Sequence, residues 1–402
     1  MNRTLVNCPD WLAHLIQEAG GSISFSKFMD LALNDPNHGA YSSGKLSIGV
    51  KGDFVTSPSL GPDFGQLLAV QITDWLKQID LVNKNRSKLS IIDVGPGEGD
   101  LAFYLINALK ETFFNLNSNV EYVLVEINNG MKNRQIKRLE SIDSIPIRWT
   151  TLEELSKEPV TGIMLAHELL DALPVERLIT LNNQLHLQGV RVIQEKNDYF
   201  LDFILLPIEN STKIFLEEIK KEYMISIPPE NAPDYWTTEI HLKLDSWFNI
   251  ASKALKEGQL LIIDYAIEAS RYYSLFRSNG TLISYYKQKA NTNILAQAGN
   301  RDITAHLCLE TLYIAAKKNL FHFQGETRQG LALLTLGLAE KLFNLTKLQT
   351  KDLNIALNKR ESLLRLVDPS CLGEFRWIVF TKSSQYITNK NITNKFLKEP
   401  IN

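Results

Sequence analysis

Apolar runs without alternation recur along the chain: Leu89–Val94, Val120–Val125, Thr161–Ala166 and Leu260–Ile263. Such runs are the signature of strands buried on both faces. Stretches with helical spacing separate them. Phe64, Leu68, Ile72, Trp75 and Ile79 form one stripe, and Leu101, Tyr104, Leu105 and Ala108 form a second. Further helices are predicted near 129–140 and over Thr238–Leu255, and a short strand near Ile145–Trp149. Strands alternating with helices predict an α/β fold built on a doubly wound, mostly parallel sheet.

The flanking segments break this rhythm. Residues 10–34 read as helical, with Trp11, Leu12, Leu15 and Ile16 and then Phe25, Phe28, Met29 and Leu33 at helical intervals. A segment rich in Gly, Pro, Ser and Asn follows from 35 to 62; irregular stretches this long are functional or disordered, and Tyr41 and Phe54 argue for order. Period-two patterns over 178–208, such as Tyr199-Phe-Leu-Asp-Phe, predict an inserted β-hairpin or small sheet. A second insertion spans 266–330, a buried helix is expected over Gly330–Ala339, and a strand hairpin is expected at Leu363–Val367 and Phe375–Phe380. The expected organisation is a helical N-terminal cap with a functional loop (1–80), a core with insertions (81–382) and a frayed polar tail (383–402).

Composition narrows the classes. The chain has 402 residues, 44% hydrophobic and 22% charged, with a formal charge of −2. That balance is ordinary for a globular protein and leaves no electrostatic footprint for nucleic acid or anionic lipid. The first ten residues hold no apolar core of signal-peptide length, and no stretch is long enough to span a bilayer. Three distant cysteines, Cys8, Cys308 and Cys371, form no disulfide framework, and neither they nor the seven histidines show a metal-ligand spacing. A reducing, cytoplasmic location without a structural metal is the expectation.

The chemistry concentrates after the strands. Asp93-Val-Gly95-Pro-Gly97-Glu-Gly99 joins the first buried strand to a helix. Alternate glycines there let backbone amides approach a ligand and make positive φ accessible. The spacing G-x-G-x-G differs from the dinucleotide fingerprint and fits an S-adenosylmethionine (SAM) pocket better, with Asp93 near its methionine end. Glu126 closes the next strand, where a carboxylate accepts bonds from both ribose hydroxyls. Glu153 or Glu154 is placed near the adenine. Glu168 and Asp171, three apart after the fourth strand, are expected to start a short helix and to make a double-carboxylate patch suited to a cationic acceptor. Asp53 and Thr56 are expected to close over that acceptor, and Asp264 ends the fifth strand in an analogous place.

Several blocks together resemble the MidA family of class I SAM-dependent methyltransferases. They include His38-Gly-Ala-Tyr41, Gly52-Asp53-Phe-Val-Thr56-Ser57-Pro58, Asp93–Gly99, Glu168-Leu-Leu-Asp171-Ala-Leu-Pro174, Asp302-Ile-Thr304-Ala-His306 and Leu372-Gly373-Glu374-Phe375. The resemblance runs from about 22 to 382. It implies a Rossmann-like SAM-binding core and symmetric dimethylation of an arginine on a respiratory NADH-dehydrogenase subunit. The chain departs from the family's usual residues at Ser59, Gln66, Glu98, Asp100, His167 and Gln288. Those departures motivate a second reading, a SAM-binding assembly or scaffold protein with little catalysis. An NAD-dependent oxidoreductase is disfavoured by the glycine spacing.

Overall fold

The computed structural model describes residues 5–49, 52–82, 88–111, 119–347, 353–383 and 393–399. Its centre is a seven-stranded sheet. In chain order the strands are β1 (Leu89–Val94), β2 (Val120–Val125), β3 (Ile147–Thr150), β4 (Val160–His167), β5 (Leu255–Asp264), β6 (His322–Arg328) and β7 (Arg376–Lys382), arranged β6-β7-β5-β4-β1-β2-β3. Pairings from β3 across to β5 are parallel, whereas β7 runs antiparallel to both β5 and β6. The chain reverses direction across the sheet between β1 and β4, and the carboxyl ends of those strands open onto the switch point where such sheets bind ligands.

β1 and β2 are buried at every position, as their unbroken apolar runs require. One face of the sheet is covered by helices α3 (Pro62–Val82) and α4 (Asp100–Leu109), the other by helices Lys243–Ala254 and Leu309–Lys318. The stripe Phe64, Leu68, Ile72, Trp75 and Ile79 lies in the first of these cores. Helices α1 (Asp10–Glu18) and α2 (Phe25–Asn34) pack elsewhere, against an inserted sheet containing Glu176–Leu181, Gln184–Glu195 and Asp198–Leu206. Helices α1 and α2 therefore pack with the insertion, and α3 with the main core.

Several sequence expectations change. Residues 10–34 are two helices, interrupted by Gly20 and Gly21 at positive φ and by a strand, Ser22–Ser24, that joins the inserted sheet. Thr237–Ile240 is a strand, and the helix begins only at Lys243. The expected terminal hairpin does not form. Leu353–Val367 is a helix burying Leu363 and Leu366 while Leu364 stays exposed, and β7 pairs with β6 instead. Residues 393–399, expected to fray, dock against α3. The Trp75 indole donates to Asn394 Oδ1 at 3.0 Å, Lys395 pairs with Asp74, and Phe396 is buried between Trp75 and Trp377. Burying one such ring contributes about 1.5–3 kcal/mol, which offsets the ordering of one or two residues, so the ring acts together with the Asn394 and Lys395 contacts.

Candidate active site

Two adjoining cavities, of about 560 and 490 Å³, lie at the carboxyl ends of the strands. Tyr41, Phe54 and Glu168 line both. The first cavity holds the glycine turn. Gly95, Gly97 and Gly99 have φ of 68°, 54° and 84°, left-handed values that side chains resist. A Cβ on Gly97 would stand 3.1 Å from Ile48 Cδ1, so the narrow space over the turn exists only because no side chain fills it. The turn is also tied down, since the Gly95 amide donates to the Val125 carbonyl at 3.0 Å.

Both acids predicted for this cavity line it. Asp93 ends β1 fully buried, accepts the Tyr122 hydroxyl at 2.9 Å, and is pushed up to about 7 by burial and by Glu126 nearby. Glu126 is held by the Asn128 amide and the Gln135 side chain, both at 2.8 Å, and burial raises its pKa. Gln135 also donates to the Gly97 carbonyl, coupling the acid to the turn. Of the two glutamates considered for the adenine, Glu153 lines the cavity. Glu154 is committed to capping its own helix through the Thr150 hydroxyl and Thr151 amide. A glycine cradle, a strand-end carboxylate and an acid at the turn fit the donor set a SAM molecule needs.

The loop after α2 forms the roof. Arg134 of α5 (Asn129–Leu139) donates to the Gly44 and Leu46 carbonyls and to Glu98, at 2.5, 3.0 and 2.6 Å. Glu98 thus departs from the usual residue but gains a partner, and Asp100 does likewise with Arg138 at 2.7 Å. Ser59 closes a local turn on Thr56, and Gln66 accepts from Lys341. Arg134 and Gln135 carry no local sequence signal, because nothing nearby tells a surface cation on a helix from a strap anchor.

The second cavity is acidic. Glu168, Asp171, Asp53 and Asp302 line it, with Asp264 beneath. Glu168 and Asp171 line the same cavity, but not as one face of a helix. Glu168 adopts φ 49° just outside the short 3₁₀ turn Leu170–Ala172, and its amide donates to the Ile263 carbonyl. Its Oε1 accepts the Ser57 amide at 3.1 Å. Burial and neighbouring acids hold Glu168 and Asp171 well above the usual carboxylate range, and raise Asp302 to about 6. Asp264 is spent on structure, accepting the amides of Leu170, Asp171 and Tyr265. Asp53 is similarly engaged by the Ser47 and Lys287 amides, which makes it a tie between loops rather than an unencumbered clamp. Thr56 lines the first cavity, not the second.

Among the described residues no Lys or Arg forms an ion pair with Glu168, Asp171, Asp264 or Asp302. The two arginines lining the cavity, Arg271 and Arg376, are held by Glu268, and Arg376 also by Glu326. His167 Nε2 lies 3.2 Å from Glu168 Oε1 without hydrogen-bond alignment. Burial among Phe64 and Phe375 drives His167 down to about 3, so it brings no positive charge. In the sequence Asp302 stands only within a larger block, and Tyr41 signals only that its loop is ordered. Their juxtaposition, 261 residues apart, has no local signal. No group of His, Cys, Asp and Glu suited to a metal occurs among the described residues.

Residues 67–327 match the sequence profile of a family described as S-adenosyl-L-methionine-dependent methyltransferases. Relatives include the Caenorhabditis elegans homolog of the mitochondrial protein arginine methyltransferase NDUFAF7, 24% identical over 91% of this chain and 85% of its own length. The rat NDUFAF7 is 24% identical over 73% of this chain, and the Xenopus tropicalis protein 31% over 42%. The match spans 66% and 43% of those two relatives, less than two thirds of each. In fold, the chain is similar to a Burkholderia thailandensis protein crystallised with S-adenosyl-homocysteine, with a TM-score of 0.80, 24% identity, and 97% of this chain and 94% of that one covered. With the glycine cradle and two strand-end acids in place, and a profile match over well more than half its length, the chain belongs to the S-adenosyl-L-methionine-dependent methyltransferase family.

Proposed function

We propose that this protein methylates an arginine side chain of a protein substrate, with the first cavity holding SAM and the second the guanidinium. The observation that carries this reading is a set of buried carboxylates that no Lys or Arg pairs with among the described residues, in a cavity that shares Glu168 with the cofactor cavity. Like charges buried together cost free energy that a bound cation relieves, and a planar guanidinium matches carboxylates better than a compact ammonium does. The names of the relatives support the same acceptor.

The bound cofactor supplies an electrophilic methyl on a sulfonium. The protein's part is to align the acceptor nitrogen and to take its proton. Glu168 is suited to both. Its Oε1 is fixed by Ser57, and Oε2 has no hydrogen-bond partner among the described residues and is left for the acceptor. Burial and the neighbouring acids raise its pKa in the free site, and a bound guanidinium favours its ionised form, in which it can accept the departing proton. Phe54 and Tyr41 wall the junction and exclude water, which strengthens each electrostatic contact.

The finer reading takes the acceptor to be an NADH-dehydrogenase-type subunit, dimethylated symmetrically, as the family resemblance implies, with a role in complex I assembly. It places the protein in the cytoplasm, consistent with three unpaired cysteines. The test is mass spectrometry of proteins from a strain lacking this gene, incubated with the purified enzyme and SAM carrying a heavy methyl. Heavy methyl on arginine of one or a few proteins is expected. Label confined to lysine, or none in any protein, would overturn the arginine reading.

A further inference from the structure

One wall of the second cavity is a three-stranded sheet of Ile283–Tyr286, Lys289–Asn291 and Asp302–Thr304. Its register pairs Tyr285 with Asp302 and Ile283 with Thr304. Directly opposed residues share a face, and all four line the cavity. Asp302 is 3% exposed, and its Oδ1 accepts the Tyr41 hydroxyl at 2.8 Å. Tyr41 reaches it from the loop after α2, and burial keeps that hydroxyl protonated as a donor. The strand carrying Asp302 abuts the Glu168–Asp171 turn, since the Ala305 amide donates to the Asp171 carbonyl at 2.9 Å.

A guanidinium carries five N–H donors in a rigid fork. Glu168, at the junction, can engage only some of them, and donors left unpaired in a buried cavity are costly. Asp264 and Asp53 have their oxygens committed to backbone amides. Asp302 accepts the Tyr41 hydroxyl on Oδ1 and is also bonded by the Ile303 amide, but it lines only the second cavity and stands beside Asp171. We propose that Asp302, aimed by Tyr41, contacts the substrate directly. With Asp171 it grips the half of the guanidinium turned away from the cofactor, leaving Glu168 to the reacting nitrogen. Asp302 is then a substrate-binding carboxylate and Tyr41 a positioning residue. The inference rests on the arginine reading.

The test titrates N-acetyl-L-arginine methylamide into the full-length protein loaded with S-adenosylhomocysteine, followed by ligand-observed NMR, with N-acetyl-L-lysine methylamide as comparison. Asp302→Asn should weaken arginine-probe binding at least tenfold and Tyr41→Phe at least threefold. S-adenosylhomocysteine affinity should stay within twofold in both. The melting temperature of D302N should hold or rise, because one of several mutually repelling buried charges is gone. Wild-type affinity for the probe in D302N overturns the proposal. So does a lowered melting temperature with joint loss of probe and S-adenosylhomocysteine, the mark of a merely structural Asp302. Should D302N not fold, undiminished probe binding by Y41F overturns it. A wild-type protein that fails to prefer the arginine probe over the lysine probe removes the arginine reading itself, and this assignment with it.

Discussion

The backbone amide of Ser57 donates to Glu168 Oε1 across 3.1 Å, joining residues 111 positions apart. Ser57 belongs to the loop before α3, and Glu168 to the turn after β4 in the central sheet. Glu168 sits at φ 49°, a conformation that costs a residue with a side chain roughly 1–2 kcal/mol. The bond to Ser57, together with the Glu168 amide on the Ile263 carbonyl, holds it there. Loop order and carboxylate placement are therefore one event.

Glu168→Gln is expected to keep this geometry, since an amide oxygen still accepts the Ser57 N–H. The negative charge is lost. Turnover should fall at least about tenfold, or roughly 1.4 kcal/mol of transition-state stabilisation, while SAM affinity moves little. Turnover, cofactor affinity and melting measured on one preparation separate this from a structural role, which would shift all three together. Full activity in E168Q would remove Glu168 from the mechanism.

The cofactor turn makes a sharper prediction. Gly97→Val places a branched side chain at φ 54° and against Ile48, so cofactor binding should be lost while the far side of the sheet remains folded. Glu126→Ala should weaken SAM binding by roughly 1.5–3 kcal/mol, the usual worth of hydrogen bonds to a charged group. Calorimetry on folded variants checks both, and undiminished affinity in G97V would contradict the placement of the cofactor.

Arg134 pins the roof through two carbonyls and Glu98. Arg134→Met keeps the stem and removes those bonds. S-adenosylhomocysteine should then dissociate several-fold faster, as seen in stopped-flow displacement, with a smaller change in association rate. An unchanged dissociation rate would show that the loop is not a retaining strap.

Asp93 links stability to pH. Its pKa in the fold is about 7 against an ordinary 3.8, raised chiefly by burial. Below 3.8 both folded and unfolded chains carry the proton and the group contributes nothing. As pH rises from there toward 7 the unfolded chain releases its proton first, so Asp93 progressively destabilises the fold. The ligand-free wild type should therefore lose more melting temperature than Asp93→Asn between pH 5 and pH 8. Parallel melting curves would contradict the buried, protonated acid.

Much of the core was readable because its signals are local. The runs at 89–94 and 120–125, the glycines between Asp93 and Gly99, and Glu126 at a strand end each state their structure within a dozen residues, and each stands where the pattern predicts. Short apolar runs without clear periodicity were not readable. Leu363–Val367 fits a strand or a helix equally until its neighbours are known, and burial of Leu363 and Leu366 with Leu364 outside decides for the helix.

The parallel sheet, the cradle at its switch point and the acids at the strand ends follow from local sequence, because a strand, a tight turn and a helix start are written in adjacent residues. The folded chain alone brings Asp53 between two loops, Glu98 to Arg134, residues 393–399 over Trp75, and Tyr41 to Asp302. Each of these contacts joins side chains or amides from distant segments, and their worth depends on burial. Burial exists only once the whole chain has closed around them.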